Sequence, residues 1–251
     1  MTAVPMVPVR INGNWDLHLP EHRAVRPDWY TDAGWERARL DSMRAHLKAG
    51  DTIIDVGAEE GDLPGLWASW GCRVALIEPK PETWANIRAV WEGNALAHPE
   101  ALFVGFASDA TDLDPPRPHP GASGYALGPD GWPACAHGEV IGDHGFAHLS
   151  QQDDSIPQTT LDDFVAHEGL IVDAITMDVE GSELRVLHGA RRVLRAMGPQ
   201  VWVSVHADRD WMVAEYGGAD RADIDAFMAS VGYGSEFLAQ DHEQHVRYFP
   251  L

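Results

Sequence analysis

Along this chain, short runs of β-branched and aliphatic residues alternate with apolar stripes spaced three and four apart, the periods of buried strands and amphipathic helices. Leu40, Met43 and Leu47 predict a helix over about residues 31–48, stopped by Gly50. TIIDVG at 52–57 reads as a strand ending in glycine, and Leu63, Leu66, Trp67 and Trp70 mark the helix after it. RVALIE at 73–78 is a second strand. Pro81 then stands near the start of a helix with the stripe Trp84, Ile87 and Trp91, and LFVGFA at 102–107 is a third strand. Strands and helices alternating at this length imply a parallel sheet covered by helices on both faces.

The rhythm stops over about 110–158, where Pro115, Pro116, Pro118 and Pro120 precede a stretch rich in glycine and histidine. A compact domain seldom carries so long a loop without structure, so this segment reads as an inserted flap, with EVIG and FAHLS as the arms of a hairpin. Regularity resumes at TTLDDF, a helix capped by Thr159 or Thr160. DAITMDV at 173–179 is a fourth strand. Leu184, Leu187, Ala190, Leu194 and Met197 predict one long helix closed by Gly198 and Pro199, and VWVSVH at 201–206 is a fifth strand. A last stripe, Ile224, Phe227, Met228 and Val231, stops at Gly232, and two extended runs at 234–239 and 245–249 predict a terminal antiparallel hairpin. With no internal repeat or linker, residues 1–251 are expected to form a single domain, with an N-terminal arm at 1–30 and the flap at about 110–158.

Composition narrows the class. The formal net charge of −21 is spread along the chain and argues against nucleic acid or an anionic membrane as a partner. The densest basic patch, at Arg191, Arg192 and Arg195, falls late in a predicted helix, where cations favour the dipole. No run of 18 apolar residues offers a membrane span, and the opening MTAVPMVPVR has neither the basic nor the apolar region of a secretory signal, so a cytoplasmic location is expected. Two cysteines, Cys72 and Cys135, make no disulfide framework.

Ligands of open α/β sheets bind beyond the carboxyl ends of the strands, near the switch point. The first such turn, DVGAEEG, has Gly57 and Gly61 spaced as G-x-x-x-G, not the G-x-G-x-x-G of a dinucleotide site, which disfavours a nicotinamide oxidoreductase. Glu59 and Glu60 would repel a pyrophosphate, by about 1 kcal/mol per charge pair at 4 Å in bulk water and more in a cleft. The loop therefore favours a cationic ligand, and Glu78, at the end of the second strand, is placed to accept from both hydroxyls of a ribose. S-adenosylmethionine joins a ribose to a sulfonium and an ammonium.

TIIDVGAEEG, ALIEPKPETWANI, TTLDDF and ITMDVEGSELRVLHGARRVL, spread over about residues 35–206, resemble the motif series of class I S-adenosylmethionine-dependent methyltransferases, and more narrowly the FkbM family. The resemblance implies a three-layer αβα, Rossmann-like fold whose seven-stranded, mostly parallel sheet ends in an antiparallel pair. It implies S-adenosylmethionine as cofactor and O-methylation of a sugar or secondary-metabolite-like small molecule. Asp55, Gly57 and Gly61, with Ala58 and Glu59 of the same loop, would hold the methionine part, Glu78 the ribose, and Ser108 and Asp109 the adenine edge. Three positions depart from the family's common pattern: Thr176 where lysine is usual, Glu59 where a small or amide residue is, and Ser204 near a frequent glutamate.

A hydroxyl acceptor needs a base or a metal ion. Asp178 ends the fourth strand with Glu180 two residues on, and His206 and Asp208 lie at the same end of the fifth; adjacent strand ends lie about 5 Å apart. These four side chains could hold Mg²⁺ or Mn²⁺, while His206 is the base if no metal takes part. Asp178 and His206 are thus the catalytic candidates by either route. Glu183 reads as a helix-start acid, His188 as a helix-surface residue, and His137, His144 and His148 as solvated flap residues. Trp29, Tyr30 and Trp132 line a cleft or pack. The departures at Thr176 and Ser204 motivate an alternative, a non-catalytic binding module that kept the fold. The acceptor is expected to be a small-molecule or glycan hydroxyl, and the oligomeric state is left open, a homo-oligomer included.

Overall fold

The computed structural model describes residues 5–24, 36–111, 127–142, 156–206, 219–241 and 243–251. The chain opens with a hairpin, β1 (Met6–Ile11) and β2 (Trp15–Pro20), and a helical turn, Glu21–Ala24. Asn12 and Gly13, both at positive φ, make the reversal, and Ile11, Leu17 and Leu19 are buried under the helices Asp62–Ser69 and Trp84–Gly93. What reads in the sequence as an arm is therefore a packed hairpin.

The main sheet is built from β3 (Thr52–Val56), β4 (Arg73–Glu78), β5 (Ala101–Val104), β8 (Ala174–Met177), β9 (Gln200–Val205), β10 (Tyr233–Gln240) and β11 (Gln244–Pro250). Its order is β10-β11-β9-β8-β3-β4-β5. The pairs β3/β4, β4/β5, β3/β8 and β8/β9 are parallel, and β11 runs antiparallel to both β9 and β10. Side-chain alternation along β3 divides the core. Ile54 and Val56 enter the apolar cluster with Phe164, Leu187 and Phe227, while Ile53 enters the one with Leu40, Trp67 and Trp91. The chain leaves β3 toward β4 and β5 on one side and returns through β8 and β9 on the other, so the switch point lies between the carboxyl ends of β3 and β8.

Three predicted elements differ. The third strand ends at Val104, because Gly105 passes so close to Pro157 that a Cβ would lie 2.3 Å from its carbonyl oxygen. The next two residues, β6 (Phe106–Ala107), pair instead with β7 (Gln158–Thr159). The single helix expected after β8 is two, Glu183–His188 and Arg191–Met197. Gly189 at the break abuts the Ser108 carbonyl, where a Cβ would sit 2.0 Å away, and the Asp162 carboxylate caps the second helix through the amides of Arg192 and Val193. The helix placed at 31–48 spans Arg37–His46, its first residues lying outside those described. In the flap, Glu139–Gly142 is not a strand, and the other arm of the expected hairpin lies outside the described residues. Thr160 caps Leu161–Glu168 as expected, its hydroxyl accepting from Asp163 N at 3.0 Å. Among the described residues no helix is long and apolar enough to cross a membrane.

Candidate active site

The turns after β3 and β8 meet at the switch point. Gly57, at φ 86°, lies so close to the second turn that a Cβ would stand 2.1 Å from the Asp178 carbonyl oxygen, so only glycine lets the two loops touch. Gly61 similarly abuts Ile87.

Polar groups run in a row along the ends of β3, β4 and β6. The buried Asp55 accepts from Trp67 Nε1 at 2.7 Å, and burial lifts its pKa to about 7. Glu78 receives the backbone N–H of Glu59 on one oxygen and of Lys80 on the other, both at 2.9 Å. Burial nevertheless raises its pKa to about 8. Each of its oxygens keeps a second lone pair. Ser108 and Asp109 follow β6, tied to the helix Glu183–His188 by Arg185, which donates to Ser108 Oγ at 3.1 Å and to Asp109 Oδ1 at 3.0 Å. Burial works against that guanidinium, which prevails and holds the Asp109 carboxyl below its usual range. An ammonium, a ribose diol and an exocyclic amine are the groups that such a row matches, and S-adenosylmethionine carries all three along its length.

The acidic loop is not the open cation site its composition suggests. Arg23, buried at the end of the N-terminal hairpin unit, donates to both Glu59 oxygens at 3.0 and 3.2 Å and to Asp62 at 2.6 Å. His22 and Asn86 bind Glu60. The positive charge that this loop attracts is the protein's own, so Glu59 serves to anchor the loop. Ala58 also does structural work, its N–H directed at the Ile77 carbonyl.

At the ends of β8 and β9, the structure brings Asp178, Glu180 and His206 together as expected, while Asp208 lies outside the described residues. Two further carboxylates join them. Glu183 is buried, accepts from Gly181 N at 3.0 Å and takes the His206 Nδ1 hydrogen at 2.8 Å, so it orients the imidazole and is no mere helix-start acid. Glu243 places Oε1 2.8 Å from His206 Nε2, with Asp178 Oδ1 at 3.4 Å and Glu180 Oε2 at 3.5 Å. Burial disfavours an imidazolium here, yet these carboxylates prevail and push the His206 pKa up to about 12. The carboxylates thus favour a proton on Nε2, and a metal ion bound at that nitrogen would have to displace it. Asp178 is the opposite case: its recess and Glu243 hold its carboxyl well above the usual range, against the pull of His206 and Arg39. Glu180 sits at φ 54°, a left-handed conformation that costs a side-chain-bearing residue energy and that recurs at functional turns.

Glu243 and Arg39 carried no signal in the strand pattern. Glu243 lies in the polar turn of the terminal hairpin, and only the register pairing Gln244 with Val205 brings it opposite His206. Arg39, buried in the helix Arg37–His46, donates to Thr176 Oγ1 at 2.6 Å and to Glu36 at 2.7 Å. The buried cation missing from position 176 is thus supplied by a neighbouring helix. Ser204 contacts His245 Nδ1 at 3.2 Å. Trp132 packs edge-on against Trp91 and His98 in the core, not in a cleft, and Trp29 and Tyr30 lie outside the described residues.

A family model described as Methyltransferase FkbM domain matches residues 55–234. Among solved structures, a methyltransferase FkbM from Methylobacillus flagellatus KT superposes with a TM-score of 0.50 at 18% identity over 81% of this chain. The match spans only 44% of that longer protein. The likeness is one of fold. A precorrin-6y C5,15-methyltransferase from Geobacter metallireducens GS-15 matches at 9% identity over 86% of this chain and 88% of its own, with a TM-score of 0.44. A mutant of MtNAS, solved in complex with S-adenosylmethionine, matches at 13% identity over 87% of this chain and 63% of its own, with a TM-score of 0.43. No curated protein matches the chain.

Proposed function

The chain belongs to the FkbM methyltransferase family, and on that premise we propose that it transfers a methyl group from S-adenosylmethionine to a hydroxyl of a sugar or secondary-metabolite-like small molecule, with a divalent ion, Mg²⁺ or Mn²⁺, assisting at the acceptor end. Asp55, Glu78 and Asp109 would hold the cofactor's ammonium, ribose and adenine. Bound there, it supplies a methyl group already activated by the sulfonium.

What remains for the chain is to orient an acceptor oxygen and take its proton. The observation that carries this reading is the contact between Gly57 and the Asp178 carbonyl, which sets the acid-rich mouth of β8 and β9 directly against the cofactor loop. Asp178 is partly exposed, and burial with the neighbouring Glu243 holds its carboxyl above the usual carboxylate range, which makes it a stronger base than an ordinary carboxylate. Thr176 and Ser204, the residues that motivated a non-catalytic module, both have buried polar partners in Arg39 and His245.

The test is methyl transfer from label-bearing S-adenosylmethionine to a panel of hydroxylated sugars and secondary metabolites, read by mass spectrometry. O-methyl product is expected, falling roughly 10²–10⁴-fold in Asp178→Asn while cofactor affinity is kept. Label on nitrogen or sulfur acceptors alone, or activity unchanged in Asp178→Asn, contradicts the proposal.

A further inference from the structure

His206 is buried, and its Nε2 makes no well-directed hydrogen bond, although three carboxylate oxygens surround it at 2.8, 3.4 and 3.5 Å. The other ring nitrogen is fixed by Glu183, itself held by the Gly181 amide. A carboxylate on one nitrogen that aims the other at a ring of oxygens is how proteins prepare histidine as a metal ligand. The spacing agrees, because ligands at right angles about Mg²⁺, each 2.0–2.1 Å from the ion, lie about 3 Å from one another.

Charge points the same way. Glu36, Glu183 and Glu243 are buried and Asp178 is recessed, with Arg39 as the fixed cation among them. The set is also open on one side: the side chains of His206 and Glu243 are 0% and 5% exposed, those of Asp178 and Glu180 30% and 36%. An ion on this floor would keep a face toward solvent. A second grouping, Glu36, Glu243 and His245, is less suited. Arg39 holds Glu36, and both His245 nitrogens are engaged, by Ser204 and by Asp241.

We infer that Asp178, His206 and Glu243 bind one hard divalent cation, with Glu183 as the positioning residue behind His206 and Glu180 at the rim, and that this ion receives the acceptor's oxygen. The terminal hairpin is thereby part of the active site, through a residue in its turn. The ion's catalytic role rests on the methyl-transfer reading; its binding does not.

The test uses the full chain, stripped with EDTA and desalted, and follows free Mn²⁺ by electron paramagnetic resonance during titration. One ion per chain is expected, with affinity at least tenfold weaker in Glu243→Gln and in Asp178→Asn, and unchanged in Glu236→Gln on the exposed face of the hairpin. Circular dichroism separates lost ligation from lost fold, and if Glu243→Gln does not fold, the more exposed Asp178→Asn decides. Absence of saturable Mn²⁺ binding to the folded wild type, or equal binding by both variants, overturns the inference. Methyl transfer that persists without Mn²⁺ binding refutes the metal site and leaves the transferase reading intact. Mn²⁺ binding without S-adenosylmethionine binding does the reverse.

Discussion

Asp55 and Glu78 each hold a proton far higher on the pH scale than a carboxyl in an unfolded chain, to about 7 and about 8 against roughly 4. Burial is the larger cause in both, outweighing the Trp67 bond to Asp55 and the two backbone amides on Glu78. A pKa raised in the folded state means that these groups favour folding most below about pH 4, and that the contribution fades as the pH climbs through 7 and 8. Glu78→Gln, which removes one of the two titrations, should therefore lose less stability than the wild type between pH 5 and pH 8. Urea denaturation at a series of pH values reads this directly, and parallel curves for the two proteins would refute it. The same residue scale explains how a departure from the family's pattern is accommodated. With Thr176 on β8, the guanidinium of Arg39 reaches in to bond its hydroxyl and to face Asp178.

At the scale of elements, two hairpins outside the alternating strand and helix pattern complete the site. The N-terminal one carries Arg23 onto Glu59 and Asp62, fastening the loop after β3 from above. Removing that guanidinium leaves the buried Asp62 and Glu60 without it, and breaking a buried pair on one side costs about 3 kcal/mol or more. Arg23→Ala should accordingly lower the free energy of unfolding by roughly that amount and weaken cofactor binding. Both can be followed by denaturation with and without S-adenosylmethionine, and a variant as stable as the wild type would show that the clamp is only a surface contact. The terminal hairpin delivers Glu243 to His206 because β11 lies antiparallel beside β9.

For the molecule as a whole, periodicity is enough to locate β3, β4, β8 and β9, since each is a run of largely buried apolar residues, and the terminal hairpin shows as two extended runs about a polar turn. It missed β1 and β2, although Asn12-Gly13 between alternating residues is a turn signal, and it joined two helices at Gly189. There the cause is tertiary: the stripe continues across the break, and only the approach of Ser108 interrupts the backbone. The site divides in the same manner. Asp178 and His206 could be placed together because both end adjacent strands, and Glu78 because it closes β4. Glu243, Arg39, Arg23 and the inward role of Glu183 depend on pairings between distant segments, which no local pattern encodes. The acids of the DVGAEEG loop teach the converse, as their charge is real but is already spent on Arg23 and His22.

The proposed activity requires a cofactor held along the ends of β3, β4 and β6. Isothermal titration of S-adenosylmethionine into the wild type and Glu78→Ala is the most direct measurement of it. Saturable binding at one site per chain, at least tenfold weaker in Glu78→Ala, is the predicted result; no binding to the folded wild type, or equal affinity in both proteins, would contradict it.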